Sequence, residues 1–212
     1  MRWWPVPLAL LLLAASPTSP RAQAGAGRTP VLGTGRDALL DDPDSGAELI
    51  GRPARALTFD RWARGGPLDL KSLRGHVVLM RWWTDGCPYC RGSLPALEAL
   101  RARYAKDGLI VIGVYHPKPP GPRSDADIVA AAERLGFHGP IAVDERWSTL
   151  ERWWLAGHPD RSFTSVSFLI GRDGRVRWVH RGGELHPGEP GEACDLSWRD
   201  LERALPKVLG RS

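Results

Sequence analysis

Cys87-Pro88-Tyr89-Cys90 carries two thiols one helical turn apart, a spacing that lets one sulfur attack a disulfide and the other resolve the mixed disulfide. The surroundings decide which thiol attacks. Val77-Val78-Leu79-Met80 is β-branched and apolar and too short for a helix, so it predicts a buried strand leading into the motif. After Cys90, Leu94, Leu97, Leu100 and Tyr104 recur at helical spacing, which predicts an amphipathic helix ending near Lys106. Cys87 then falls at a helix N-terminus, where unpaired N–H groups and the helix dipole favour the thiolate, the reactive form. Cys90, one turn on, is the resolving thiol. Two other readings compete. A zinc half-site needs a second ligand pair, and the third cysteine, Cys194, stands alone in a Gly/Pro-rich stretch. A structural staple gains little, because so short a loop removes little entropy from the unfolded chain. The expectation is therefore redox exchange with no metal ligand and no bound cofactor, electrons passing through the cysteine pair to and from partner proteins.

The N-terminus says where such a pair would work. Met1-Arg2 precedes an apolar run from Val6 to Ala15, and Ala22-Gln23-Ala24 follows, which reads as a signal peptide over residues 1–24. The apolar core is short for a bilayer span, with an uncleaved anchor as the alternative. The expected location is exported, periplasmic or extracytoplasmic, where the pair is held oxidised by its surroundings or reduced by a dedicated donor. A formal charge of +5 and a pI near 9.5 raise the question of nucleic acid. Arginines are scattered singly among acids without a basic block, so nucleic-acid binding is not expected. Residues 25–50, with Asp41-Asp42-Pro43-Asp44-Ser45-Gly46, read as a flexible polar linker, and residues 51–212 as one domain, expected to be a monomer.

Further elements follow in order. Leu109 to Tyr115 predicts a second strand, Asp125 caps a helix ending at Gly136, and Ile141-Ala142-Val143 predicts a third strand. A Trp-rich helix from Trp147 to about Ala156 precedes a hairpin, Val166 to Ile170 and Val176 to His180, around Asp173-Gly174. Leu196 to Leu209 supplies a last helix, with Cys194 just before it as a free thiol. Strands alternating with helices imply an α/β sandwich on a mixed sheet. His116, His158, His180 and His186 sit in loops or at strand ends and read as solvated, as does Glu98; His180 and Asp144 lie where a strand end can face the site.

The pattern over residues 51 to 209 resembles the thioredoxin superfamily, in particular its exported TlpA/ResA-like thiol–disulfide oxidoreductases. The strand Val77 to Trp82, Trp83 before the motif, the CxxC, Pro95 where thioredoxins kink the active-site helix, and the Ser167-Phe168-Leu169-Ile170 hairpin carry the likeness. It implies a thioredoxin-like three-layer sandwich, a central mixed β-sheet flanked by helices, with an inserted strand-helix unit between Leu109 and Val143. It also implies protein thiols and disulfides as partners, a membrane-bound electron donor or acceptor, and a link to cytochrome c maturation. Cys87 and Cys90 take the catalytic places, with Trp83, Thr84, Pro88, Tyr89, Thr164 and Ser165 supporting them.

Three positions depart from that pattern. Ser165 stands where the family places a cis-proline, so a loop of different shape is expected, a cis peptide being essentially a proline feature. Arg81 stands where thioredoxin has a buried acid; pointed at the sulfurs it would lower the Cys87 pKa, but strand alternation is expected to turn it away. Pro-Tyr is the glutaredoxin dipeptide, which suggests a potential between roughly −200 to −230 mV and thioredoxin's about −270 mV. Two alternative functions remain open. Thr84-Asp85-Gly86-Cys87 matches half of a peroxiredoxin-like peroxidase site, with Met80 where its proline would be. Cys87 and Cys90 with a histidine such as His180 would suit a copper metallochaperone.

Overall fold

The computed structural model describes residues 45–211. The expected signal peptide and residues 25–44 of the expected linker lie outside the described residues. Among the described residues, no helix is long and apolar enough to cross a membrane.

One mixed sheet runs from edge to edge as β1 (Arg61–Arg64), β4 (Ile141–Val143), β3 (Leu109–Tyr115), β2 (Val77–Trp83), β5 (Ser167–Ile170) and β6 (Val176–His180). At its centre β2, Val77–Trp83, is buried along its whole length. It runs parallel to β3, Leu109–Tyr115, with Trp83 opposite Tyr115, and β3 runs parallel to β4, Ile141–Val143. Parallel neighbours need crossovers, and α1, Cys90–Tyr104, and α2, Asp125–Arg134, supply them. On the other side of β2 lies the antiparallel hairpin of β5, Ser167–Ile170, and β6, Val176–His180. Its turn closes with a Gly174 N–H bond to the Gly171 carbonyl and a Gly174 φ of 73°, a conformation that suits glycine. The C-terminal helix α4, Ala193–Leu209, completes the chain.

Alternation along β2 divides the core in two. Val77, Leu79 and Trp83 pack with Leu97 of α1, Ile128 of α2 and Leu201 of α4. Val78, Met80 and Trp82 pack with Phe168, Trp153 and Trp154 on the other face. That second face is covered by α3, Ser148–Leu150, and the π-helical turn Glu151–Leu155 that continues it. Three layers result, with α2 and β4 as the inserted unit that extends the sheet, and the expected thioredoxin-like architecture holds.

Several boundaries differ from expectation. β1, Arg61–Arg64, pairs antiparallel with β4 at the sheet edge; its half-buried Arg-Trp-Ala-Arg run has none of the apolar alternation by which a strand is read. Ser124 rather than Asp125 caps α2, its hydroxyl accepting from the Asp127 N–H. The Trp-rich helix is a short α-turn widened into a π-turn, and α4 begins at Ala193, which puts Cys194 inside the helix. Within the last part of the stretch expected to be linker, Ala47–Leu49 forms a 3-10 turn tied down by Arg161, which donates to Ser45 and pairs with Glu48. Gly51 N–H then bonds the Val176 carbonyl, so this segment belongs to the folded domain.

Candidate active site

Because Trp83 and Tyr115 lie side by side, the segments leaving β2 and β3 emerge together at one edge of the sheet. There the 84–90 turn is held by Cys87 N–H on the Thr84 carbonyl and Cys90 N–H on the Cys87 carbonyl. Cys90 opens α1 and Cys87 lies in the turn before it, as the sequence pattern predicts. Both are free thiols, Cys87 half-buried and Cys90 wholly buried. Their environments set them apart. Cys87 is lowered to about 6, first by the hydrogen bond it accepts from the Cys90 thiol, then by Arg81 and the N–H groups of Cys90 and Tyr89, all opposed by burial. Cys90 is pushed up by donating that bond, by burial and by the charge on Cys87. The arrangement is one reachable thiolate above one buried thiol.

Arg81 faces the sulfurs, which corrects the expectation that alternation turns it away. It shares the parity of Leu79 and Trp83, whose face of β2 is the one α1 covers. It is fully buried, and its partners are all neutral. Nη1 donates to Ser167 Oγ at 3.3 Å and His180 Nδ1 at 3.1 Å; Nη2 donates to Ser93 Oγ at 3.3 Å and the Gly183 carbonyl at 2.6 Å. Nε has no hydrogen-bond partner. No carboxylate among the described residues pairs with it, and the negative charge that acts on this guanidinium is the one the cysteine pair carries when ionised. His180 is likewise buried rather than solvated, and burial and Arg81 hold it well below the usual range, in its neutral form. Ser93 joins these parts: its hydroxyl donates to the Tyr89 carbonyl at 2.6 Å and accepts from Leu185 N–H at 2.9 Å.

Over Cys87 opens a cavity of about 660 Å³ lined by Tyr89, His116, Lys118, Phe163 and Thr164 among others. Thr84, Pro88 and Ser165 also line it, whereas Trp83 lies beneath, its ring 5.0 Å from that of Tyr115. Tyr89 leans on Phe163 with ring centroids 5.9 Å apart. Thr84 Oγ1 donates to Asp85, which pairs with Arg123, so its hydroxyl is not committed to the Cys87 sulfur. His116, expected to be solvated, is buried: its Nδ1–H donates to the Trp83 carbonyl at 2.9 Å, and Nε2 accepts from Thr164 Oγ1 at 2.8 Å. Burial pushes it down to about 3, which fixes it as a neutral strut between the β2 end and the 164–165 loop. The parallel register of β2 and β3 is the signal that places it there. Among the described residues the cis peptides are Gly66-Pro67 and Lys118-Pro119, so Ser165 follows a trans bond, and its hydroxyl accepts from Gly183 N–H at 3.0 Å.

Other candidates fall elsewhere. Asp144 accepts from Trp82 Nε1 and from the Thr149 and Leu150 N–H groups, capping α3 on the face away from the cysteines. Glu98 is half-buried and accepts from Arg101 and His138 N–H. As for the copper reading, His180 Nδ1 bonds Arg81, and no three-ligand group among the described residues joins Cys87, Cys90 and His180.

Residues 50–179 match the AhpC/TSA family. The chain belongs to this family. Its likeness within the family is to ResA-like and DipZ-like proteins. It is 33% identical to Protein DipZ of Mycobacterium bovis over 120 residues, 55% of this chain and 16% of that one. It is 25% identical to the thiol-disulfide oxidoreductase ResA of Halalkalibacterium halodurans over 119 residues, 56% of this chain and 61% of that one. The chain thus spans under two thirds of the length of these relatives. Among solved structures, a putative thiol:disulfide interchange protein DsbE from Chlorobium tepidum has a TM-score of 0.59 at 24% identity, covering 76% of this chain and 98% of that one. The thioredoxin domain of a thiol-disulfide oxidoreductase from Bacteroides vulgatus has a TM-score of 0.51 at 22% identity, covering 73% and 96%. These likenesses fix the thioredoxin-like fold. The AhpC/TSA match ends before Arg181, so the 181–192 loop and α4 lie beyond it.

Proposed function

We propose that this chain is an exported thiol–disulfide oxidoreductase that exchanges disulfides with partner proteins through Cys87 and Cys90. The observation that carries the reading is the divided pair: an accessible Cys87 lowered to about 6 beside a buried, protonated Cys90. The Cys87 thiolate attacks one sulfur of a partner disulfide, the partner's S–S bond breaks, and one partner thiolate leaves. That thiolate takes the proton of Cys90, whose sulfur attacks Cys87 and frees the second partner thiolate. The partner gains two electrons, and the chain becomes the Cys87–Cys90 disulfide. Each step reverses, so the same site serves either direction. Exchange of this kind needs no bound cofactor.

Support for export is the Met1-Arg2 start, the apolar run to Ala15 and the Ala22-Gln23-Ala24 pattern. A membrane-bound donor or acceptor, a monomeric chain and clients in cytochrome c maturation complete the proposal, on the ResA likeness. Peroxidase chemistry is the weaker reading, because the Thr84 hydroxyl is committed to Asp85. The deciding experiment measures the reduction potential of the Cys87/Cys90 pair and its redox state in cells by thiol trapping. A defined two-electron couple, with Cys90→Ser accumulating mixed disulfides on Cys87, supports exchange. A pair inert to dithiothreitol and glutathione overturns it, and hydrogen peroxide turnover by Cys90→Ser transfers the reading to the peroxidase.

A further inference from the structure

Outside the redox pair, Glu184, His186 and Cys194 bring a carboxylate oxygen, an imidazole nitrogen and a thiol sulfur within 4.8 Å of one another. We propose that these three residues bind one Zn²⁺ ion, clamping the 183–188 loop and the start of α4 against the active-site helix. Donor chemistry supports this ion: thiolate, imidazole and carboxylate together are a zinc set, whereas calcium and magnesium take oxygen alone. Tetrahedral zinc with bonds of 2.0 to 2.3 Å sets its ligands roughly 3.3 to 3.8 Å apart, so a small contraction of the present cluster closes the shell. Water completes the fourth position.

Two glycines make room for the ligands. A Cβ at Gly92 would stand 2.4 Å from the His186 ring, and one at Gly188 would stand 2.6 Å from Cys194 Sγ. Neither glycine has a positive φ, and Gly92 lies inside α1, where glycine costs helix stability. Close approach of the side chains is the reason left for them. The imidazole is also oriented as metal-bound histidines are: donation of Nδ1–H to the Pro187 carbonyl at 2.7 Å leaves the Nε2 lone pair for an ion. Glu192 Oε2, 3.7 Å from Cys194 Sγ, adds negative charge beside the buried thiol. On binding, Cys194 releases its proton to solvent and ligates as the thiolate. The ion would bear on the redox site through two contacts of the same loop, Gly183 on Arg81 and Leu185 on Ser93.

The test uses the full chain carrying Cys87→Ser and Cys90→Ser, so that Cys194 is its sole thiol and the outcome is independent of the redox reading. Zn²⁺ is titrated against a chromophoric chelator, and Co²⁺ is added separately as a spectroscopic probe. One equivalent of zinc is expected, with thiolate-to-cobalt charge-transfer absorption and tetrahedral visible bands. Adding Cys194→Ser should abolish the charge-transfer band, and His186→Gln or Glu184→Gln should weaken zinc binding at least tenfold while circular dichroism stays unchanged. Absence of one-to-one binding in the double-serine protein overturns the proposal. Equal affinity after Cys194→Ser overturns it as well.

Discussion

Arg81 and Trp82 are neighbours on one strand, both fully buried, and they serve opposite faces of the sheet in opposite ways. Trp82 packs against Phe59, Trp153 and Phe168, with its one polar atom bonded to Asp144. Arg81 sits in a ring of serine, histidine and carbonyl partners that satisfy its shape but not its charge. Burying an uncompensated ion is expensive, while burying an aromatic ring with its N–H satisfied is favourable. One face of β2 holds the fold together, and the other spends stability on setting a sulfur's charge.

That contrast is open to attack from both sides. Trp82→Ala should have the largest effect on folding, about 3 to 5 kcal/mol in denaturant unfolding. The Cys87 titration followed by alkylation should stay near 6 in that variant; a displaced titration would mean that the two faces are not independent. Arg81→Met should act the other way round, moving the Cys87 midpoint up toward the ordinary thiol value and making the pair more reducing, while relief of the buried charge offsets the lost hydrogen bonds to His180 and Gly183 and keeps the stability loss below that of Trp82→Ala. Strong destabilisation by Arg81→Met would make the residue a structural one. In the unaltered protein, alkylation of Cys87 should be flat above pH 7 and fall as the thiolate protonates through about 6. Ser93→Ala removes an acceptor shared by Arg81 and the Leu185 N–H, and a cost of about 1 to 3 kcal/mol is expected with a smaller shift in the same titration. Thr164→Val, which takes the donor from neutral His116, should cost about 1 kcal/mol and leave the Cys87 midpoint in place.

The sequence pattern places the two cysteines because the signal is local: strand end, turn, helix start. It reveals β2, β3 and the β5–β6 hairpin for the same reason, since each is a short apolar run bounded by turn residues. Arg81 is different. A single polar residue in such a run has a parity but no sign, and only the docking of α1 says which parity faces the sulfurs. His116 and His180 follow the same logic, one buried by the register of β3 against β2 and the other by Arg81 across β5 and β6. β1 escapes notice because an edge strand with arginines at both ends has no buried face to impose a period. Ser165 shows how far a motif reads: the absence of proline is plain in the sequence, but its hydroxyl's bond to Gly183 requires the folded loop.

That no carboxylate among the described residues pairs with Arg81 ties folding to the proposed thiol–disulfide exchange. Among the described residues, the anion that answers this guanidinium is one that the proposed exchange creates and removes, since closing a Cys87–Cys90 disulfide would erase the thiolate. The dithiol form should therefore melt at a higher temperature than the disulfide form, an inversion of the usual rule that a cross-link stabilises. Around a thermodynamic cycle, whatever folding free energy is lost on oxidation reappears as oxidising strength, about 30 mV for each 1.4 kcal/mol. The interior charge works as a loaded spring that the incoming electrons relax.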